Sequence, residues 1–118
     1  MIPKFRAWNK DDKEMIDVRV IDWNNMTVDS FSPYIEIPLE NVIIMQSTGL
    51  KDKNGQEIFE GDIVQFFDSI YTVFYDIKEG SYRLEPHDDR WVVDYMSNFS
   101  SEESFEVVGN IYENKEYL

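Results

Sequence analysis

The stretch Gln46-Ser-Thr-Gly-Leu-Lys-Asp-Lys-Asn-Gly-Gln-Glu-Ile-Phe-Glu-Gly-Asp-Ile-Val64 decides the fold class of this chain. It packs two turns and two short apolar runs into one segment. Asp52-Lys-Asn-Gly55 is a strong turn signal: Asn-Gly supplies the positive φ of tight turns, since glycine has no Cβ to clash. Glu60-Gly61-Asp62 is a second tight bend ahead of Ile63. Asn54, Gly55 and Gly61 are therefore expected at positive φ, orienting the strand at Ile63. Asp62 is expected to hydrogen-bond turn amides. Short strands meeting at tight turns mean an antiparallel β protein.

Outward from this segment the same grammar repeats. Lys4 to Trp8 alternates as a strand, and Asn9-Lys-Asp-Asp-Lys13 is a polar turn. Met15 to Trp23 resumes in near-alternation, with Ile16, Val18 and Val20 on one side and Met15, Asp17 and Arg19 on the other. Asn24 and Asn25 tolerate positive φ and signal a hairpin turn, with Met26 to Phe31 as the return strand. Pro33 and Pro38 bracket Tyr34-Ile-Glu-Ile37, which reads as an edge strand or an extended loop. Val42-Ile-Ile-Met45 is a continuous apolar run, consistent with a strand covered on both faces.

Beyond Asp62 a second meander follows: Ile63 to Phe67, a turn at Asp68-Ser69, Ile70 to Tyr75, a turn at Lys78-Glu-Gly80, then Tyr82 to Glu85. Residues 86–99 fit two patterns. Trp91, Val92, Tyr95, Met96 and Phe99 share a helix face, with Asp88 or Asp89 as N-cap. Trp91-Val-Val-Asp-Tyr95 also alternates as a strand, which its β-branched and aromatic content favours. Phe105 to Tyr112 is a final strand with a bulge or kink at Gly109. The last six residues are acidic and expected to fray. The resulting expectation is a mainly β domain: an N-terminal meander over 1–46 packed on an SH3-like small barrel over 47–118, with room for one short helix.

The chain has 118 residues, a length that buries roughly 65% of the unfolded surface in one core. Its 8 Phe, 7 Tyr and 3 Trp fit half-buried pleated surfaces. There is no cysteine, so disulfide stapling and thiolate chemistry are excluded, in keeping with a reducing cytosol. No apolar run reaches the roughly 18 residues of a membrane span, and no apolar segment follows the start as in a signal peptide. The expected location is the bacterial cytoplasm. The net charge is -13, and residues 60–118 hold 14 acidic against 4 basic side chains. That surface repels polyanions and suits either plain solubility or a basic partner.

Three segments together resemble the YopX family of phage and prophage proteins. They are Lys4-Phe-Arg-Ala-Trp8 with Asn9 to Met15, the segment from Met45 to Val64, and Phe105-Glu-Val-Val-Gly-Asn-Ile-Tyr-Glu-Asn114. The resemblance runs through nearly the whole chain, and its central stretch is the specific part. It implies a small β-rich protein of phage or prophage genomes. It brings no catalytic residues with it.

The residues themselves supply no reaction chemistry. His87 is the sole histidine, and in His87-Asp88-Asp89 neighbours on a strand point to opposite faces, so the run suits a polar loop better than a metal site. A serine triad would need that same histidine, and no nucleophile elbow accompanies it. The lysine and hydroxyl residue of a phosphate loop do not follow Gly49 or Gly55. No catalytic, cofactor or metal residues are therefore assigned. Basic side chains do collect in the first half: Lys4, Arg6, Lys10, Lys13, Arg19, Lys51 and Lys53, interleaved with Phe5, Trp8 and Trp23. If the turns meet, Arg6, Trp8, Lys51 and Lys53 form a candidate interaction surface. The function expected is a non-enzymatic binding module with a phage or host protein partner. The alternative is a nucleic-acid association, by weak direct contact or by acidic mimicry. Duplex DNA is not expected as the main ligand. Strand edges and aromatics also offer a route to a homo-oligomer.

Overall fold

The computed structural model describes residues 4–31, 35–88, 94–95 and 105–117. Among them are eleven β-strands, two single-turn 3-10 segments and no α-helix. The chain divides into two compact units, Met1–Gln46 and Ser47–Leu118.

The first unit holds β1 (Phe5–Asn9), β2 (Glu14–Asp22), β3 (Thr27–Ser30), β4 (Glu36–Pro38), a 3-10 turn at Leu39–Asn41, and the start of β5 (Val42–Lys51). All pairings are antiparallel, in the order β4-β3-β2-β1-β5. The proline-bracketed strand β4 lies at the edge, where a missing N–H does least harm. Ala7, Val28, Ile37 and Val42 form the core, flanked by Ile16, Val18, Ile21, Leu39 and Ile44. Each valine or isoleucine among them contributes about 1.5–3 kcal/mol when fully buried.

Two expectations for this unit are corrected. In β2, Val18 pairs with Ser30 and Val20 with Asp29, so two residues of one strand oppose one of the other around Arg19. This bulge reverses the side-chain phase. Ile21 turns inward to face Val28, and Val20 is left exposed. In β5, Val42 and Met45, on opposite faces, are buried but Ile43 is exposed, so the face shared by Ile43 and Met45 is covered only at Met45.

The second unit contains the rest of β5 with β6 (Glu57–Phe59), then β7 (Asp62–Phe66), β8 (Ser69–Asp76), β9 (Ser81–Pro86), β10 (Asp94–Tyr95) and β11 (Phe105–Asn110). The five-stranded antiparallel sheet runs β10-β9-β8-β7-β11. Its core is Val64, Tyr71, Val73, Leu84 and Phe105, joined by Ile58 from β6 and flanked by Leu50, Phe66, Tyr82 and Val107. Among the described residues the pairings give an open sheet with a β5–β6 hairpin packed against its core face. Closure into a barrel is not among them. In the ambiguous segment Asp94–Tyr95 pairs with Leu84 and Arg83 as a strand. Trp91, Val92, Met96 and Phe99 lie outside the described residues.

Three hairpins share one turn. Asn9 pairs with Glu14, Asp22 with Thr27 and Asp76 with Ser81, each closing a loop over 10–13, 23–26 or 77–80. In each, the last strand residue accepts two loop N–H groups on its side-chain Oδ1. Asn9 takes those of Asp11 and Asp12, Asp22 those of Asn24 and Asn25, and Asp76 those of Lys78 and Glu79. In each, the final loop residue is left-handed: Lys13 at φ 55°, Met26 at 55° and Gly80 at 64°. The hairpin expected at Asn24-Asn25 is present, but the positive φ falls on Met26. The Asx side chain sets the start of the turn, and strand pairing at the next residue forces the left-handed exit.

Through Tyr117 the described end of the chain is hydrogen-bonded back on itself. Asn110 Oδ1 accepts the N–H groups of Tyr112 and Glu113, and the Asn110 backbone N–H donates to Asn114 Oδ1. A 3-10 turn at Lys115–Tyr117 follows. Strand β11 bulges between Val107 and Gly109, as the glycine signalled. A Cβ on Gly109 would come within 2.6 Å of Asn114 Cγ and Oδ1, so any other residue would have to displace this cap.

Candidate interaction surface

Of the four side chains assigned to a surface, Arg6 is not on one. It lies in β1, buried, between Asp17 of β2 and Met45 of β5 in the ladder. The alternation that puts Ala7 in the core puts Arg6 on the other face, which is covered as well. Trp8 is half-buried between Met15 and Ile43. Arg6 and Trp8 belong to the first unit, Lys51 and Lys53 to the second. Lys51 is exposed at the end of β5 opposite Glu57. Lys53 is exposed and paired with Glu106 at 3.2 Å. Two further cations are also matched, Arg19 to Asp29 at 3.4 Å and Arg83 to Asp76 at 2.9 Å.

The central turns are built by two buried carboxylates. Asp52 Oδ1 accepts the backbone N–H groups of Asn54 (2.9 Å) and Gln56 (2.8 Å), and Oδ2 accepts that of Val107 (2.9 Å). Lys53 N–H donates to the Phe105 carbonyl. Strand β11 is at the edge of its sheet, and the Asp52 carboxylate and the Lys53 backbone N–H thus satisfy groups that a second copy would otherwise pair with. Gly55 has φ 80°, whereas Asn54 is not among the positive-φ residues, so the glycine alone supplies the left-handed step. Gly61 has φ 86° and is locked by its N–H to the Val73 carbonyl and its carbonyl from the Ile111 N–H. Asp62, buried, accepts the Phe59 N–H at 2.8 Å.

His87 Nε2 lies 2.7 Å from Thr72 Oγ1, and its backbone N–H donates to the Ile70 carbonyl. Asp89 lies outside the described residues. Among the described residues no group of three or more histidine, aspartate or glutamate side chains could hold a metal ion. Among them no helix is long and apolar enough to cross a membrane. Two carboxylates are held below the ordinary carboxylate range. Asp22 is lowered by the backbone and side-chain N–H groups of Asn25, and Asp76 by the hydrogen bond from Arg83. Burial pushes the Tyr82 phenol up, reinforced by Glu60 and Tyr75.

The turns carry apolar side chains where polar ones are usual. Trp23 is 67% exposed and Met26 55%, both in the β2–β3 loop. Phe67, 80% exposed, opens the two-residue link between β7 and β8 at φ 56°. Ile77, 87% exposed, begins the β8–β9 loop. Sequence reading had counted Trp23 among aromatics interleaved with basic residues and missed Met26, Phe67 and Ile77. Trp23, Met26 and Phe67 fall at the ends of runs that read as strands, and Ile77 directly precedes the Lys78-Glu-Gly80 turn; the available signal was an apolar residue bordering a turn.

The YopX protein family model matches residues 4–118. The chain belongs to this family. This YopX protein is also similar to a solved structure, protein EF1440 from Enterococcus faecalis. The two are 32% identical, with 98% of this chain and 97% of that one covered and a TM-score of 0.66. No curated protein sequence matches the chain.

Proposed function

We propose that this YopX protein is a non-enzymatic interaction module serving a phage or prophage, and that it binds another protein. One observation carries the reading: Trp23, Met26, Phe67 and Ile77 are held out to solvent on short, hydrogen-bonded turns. Met26 and Phe67 do so at left-handed backbone positions that disfavour any residue but glycine, asparagine or aspartate. Trp23, Met26 and Ile77 stand outside the core clusters, while the mostly exposed Phe67 ring meets Phe66 edge-on at 4.5 Å. Tryptophan and methionine are enriched where proteins bury surface against one another. The family's phage and prophage setting supplies the context.

The test is recovery of partners from bacterial host extract on tagged protein, with and without nuclease. A discrete protein retained through nuclease treatment supports the reading. Recovery that depends on nucleic acid overturns it in favour of nucleic-acid association.

A further inference from the structure

We infer that the β2–β3 loop, Trp23-Asn-Asn-Met26, is the docking element, and that it enters an apolar pocket rimmed by lysine or arginine on the partner protein. The inference rests on the binding reading above and adds the site and the chemistry of its occupant.

The loop is built for presentation. Asp22 Oδ1 holds the N–H groups of Asn24 and Asn25, each at 3.0 Å, and Asp22 Oδ2 holds the Asn25 side-chain amide at 2.8 Å. At the far end the Leu39 N–H donates to the Met26 carbonyl at 2.8 Å. Both ends of the loop are therefore pinned, and little ordering remains for association to pay for. Trp23 and Met26 sit outside the core cluster of their unit. A convex tip bearing an indole and a thioether matches a concave apolar pocket.

Charge decides the rim of that pocket. No lysine or arginine occurs between Arg19 and Lys51, while Asp22, Asp29, Glu36 and Glu40 all do. Asp29 is answered by Arg19. Exposed Glu40 sits in the 3-10 turn whose first residue bonds Met26, and exposed Glu36 lies on the edge strand β4. The loop is thus an apolar tip with acidic flanks. Cationic groups around a pocket would steer the encounter and fix its register. An anionic membrane or nucleic acid would be repelled from the same surface. A second copy carries the same acidic flanks and would meet like charge.

The experiment screens full-length protein against a displayed library of small folded domains with randomised surface pockets, then titrates the retained domains. Expected are apolar pockets rimmed by lysine or arginine, whose affinity falls as salt rises. Affinity should fall at least about tenfold in Trp23→Ser with Met26→Ser, the loss of a well-buried anchor pair. Lys13→Gly, in the neighbouring hairpin, should bind normally, and thermal midpoints show that each variant is folded. Retained pockets without cationic bias overturn the occupant. Equal binding by the double variant overturns the site and leaves the binding reading standing. Self-association lost in the double variant assigns the loop to a second copy and overturns the partner. No retained domain, with a discrete protein still recovered from host extract, overturns this inference alone. No retained domain and no recovered protein overturn both.

Discussion

The carboxylate of Asp52 joins two turn amides to Val107, a residue 55 positions away, through a 2.9 Å bond to its backbone N–H. Since Asp52 is 5% exposed, all three donors lose their acceptor when it is removed. Asp52→Ala should destabilise the protein by about 2–4 kcal/mol, from buried N–H groups left without partners. Asp52→Asn should cost less, because one carbonyl oxygen remains. Urea midpoints of the two variants measure this, and equal midpoints for Asp52→Ala and the parent would sink the claim.

The three matched hairpins make a signed prediction. Met26→Gly and Lys13→Gly relieve a left-handed strain of about 1–2 kcal/mol, offset by the greater freedom of glycine in the unfolded chain. Each should raise stability by up to about 1 kcal/mol. Gly80→Ala, in the same position of the third hairpin, should lower it by a similar amount. Thermal melts in which Gly80→Ala stabilises would show that the shared geometry is not energetically shared.

Gly61 sits at φ 86° with its N–H bonded to Val73 of β8 and its carbonyl to Ile111, just past β11. The bend cannot relax to suit a β-branched residue. Gly61→Val should cost roughly 1–3 kcal/mol through backbone strain. An unchanged melting temperature removes the argument that this bend orients β7.

Acid should weaken the Asp76–Arg83 pair in a defined direction. Arg83 holds the folded-state pKa of Asp76 below its unfolded value. Its contribution is therefore complete above the ordinary carboxylate range and is lost as pH falls through the depressed folded value. Arg83→Met should lower the urea midpoint near neutrality, and the gap to the parent should close on acidification. A gap that widens toward low pH contradicts the sign.

Duplex DNA should bind no tighter than the non-specific range of about 10⁻⁴–10⁻⁶ M at physiological salt. The net charge of -13 opposes phosphate, Arg6 is buried, and Lys53, Arg19 and Arg83 are ion-paired. A sub-micromolar gel shift abolished by Lys10→Glu with Lys51→Glu would show exposed lysines overriding the global charge.

Much of this architecture is local and therefore legible in the sequence. Alternating apolar residues specify strands because side chains of a pleated chain face opposite ways, and Asp52-Lys-Asn-Gly55 or Glu60-Gly61 specify turns because few residues tolerate their dihedrals. The mainly β class, most strand positions and the Gly109 bulge follow from that. What only the tertiary structure decided depends on pairing between distant residues. The bulge at Arg19 turns Val20 out and Ile21 in because Asp29 and Val28 fix the register of β3. Arg6 is buried because the face of β1 that it shares with its partner Met45 is covered as well as the face of Ala7. The positive φ moved from Asn24-Asn25 to Met26 because the strand must resume at Thr27 opposite Asp22. Asp52 reaches Val107 across 55 residues, and no local pattern encodes such a partner. Sequence periodicity states which side chains can share a face, but register and long-range hydrogen bonds choose which faces are covered, and so which side chains remain exposed for a partner.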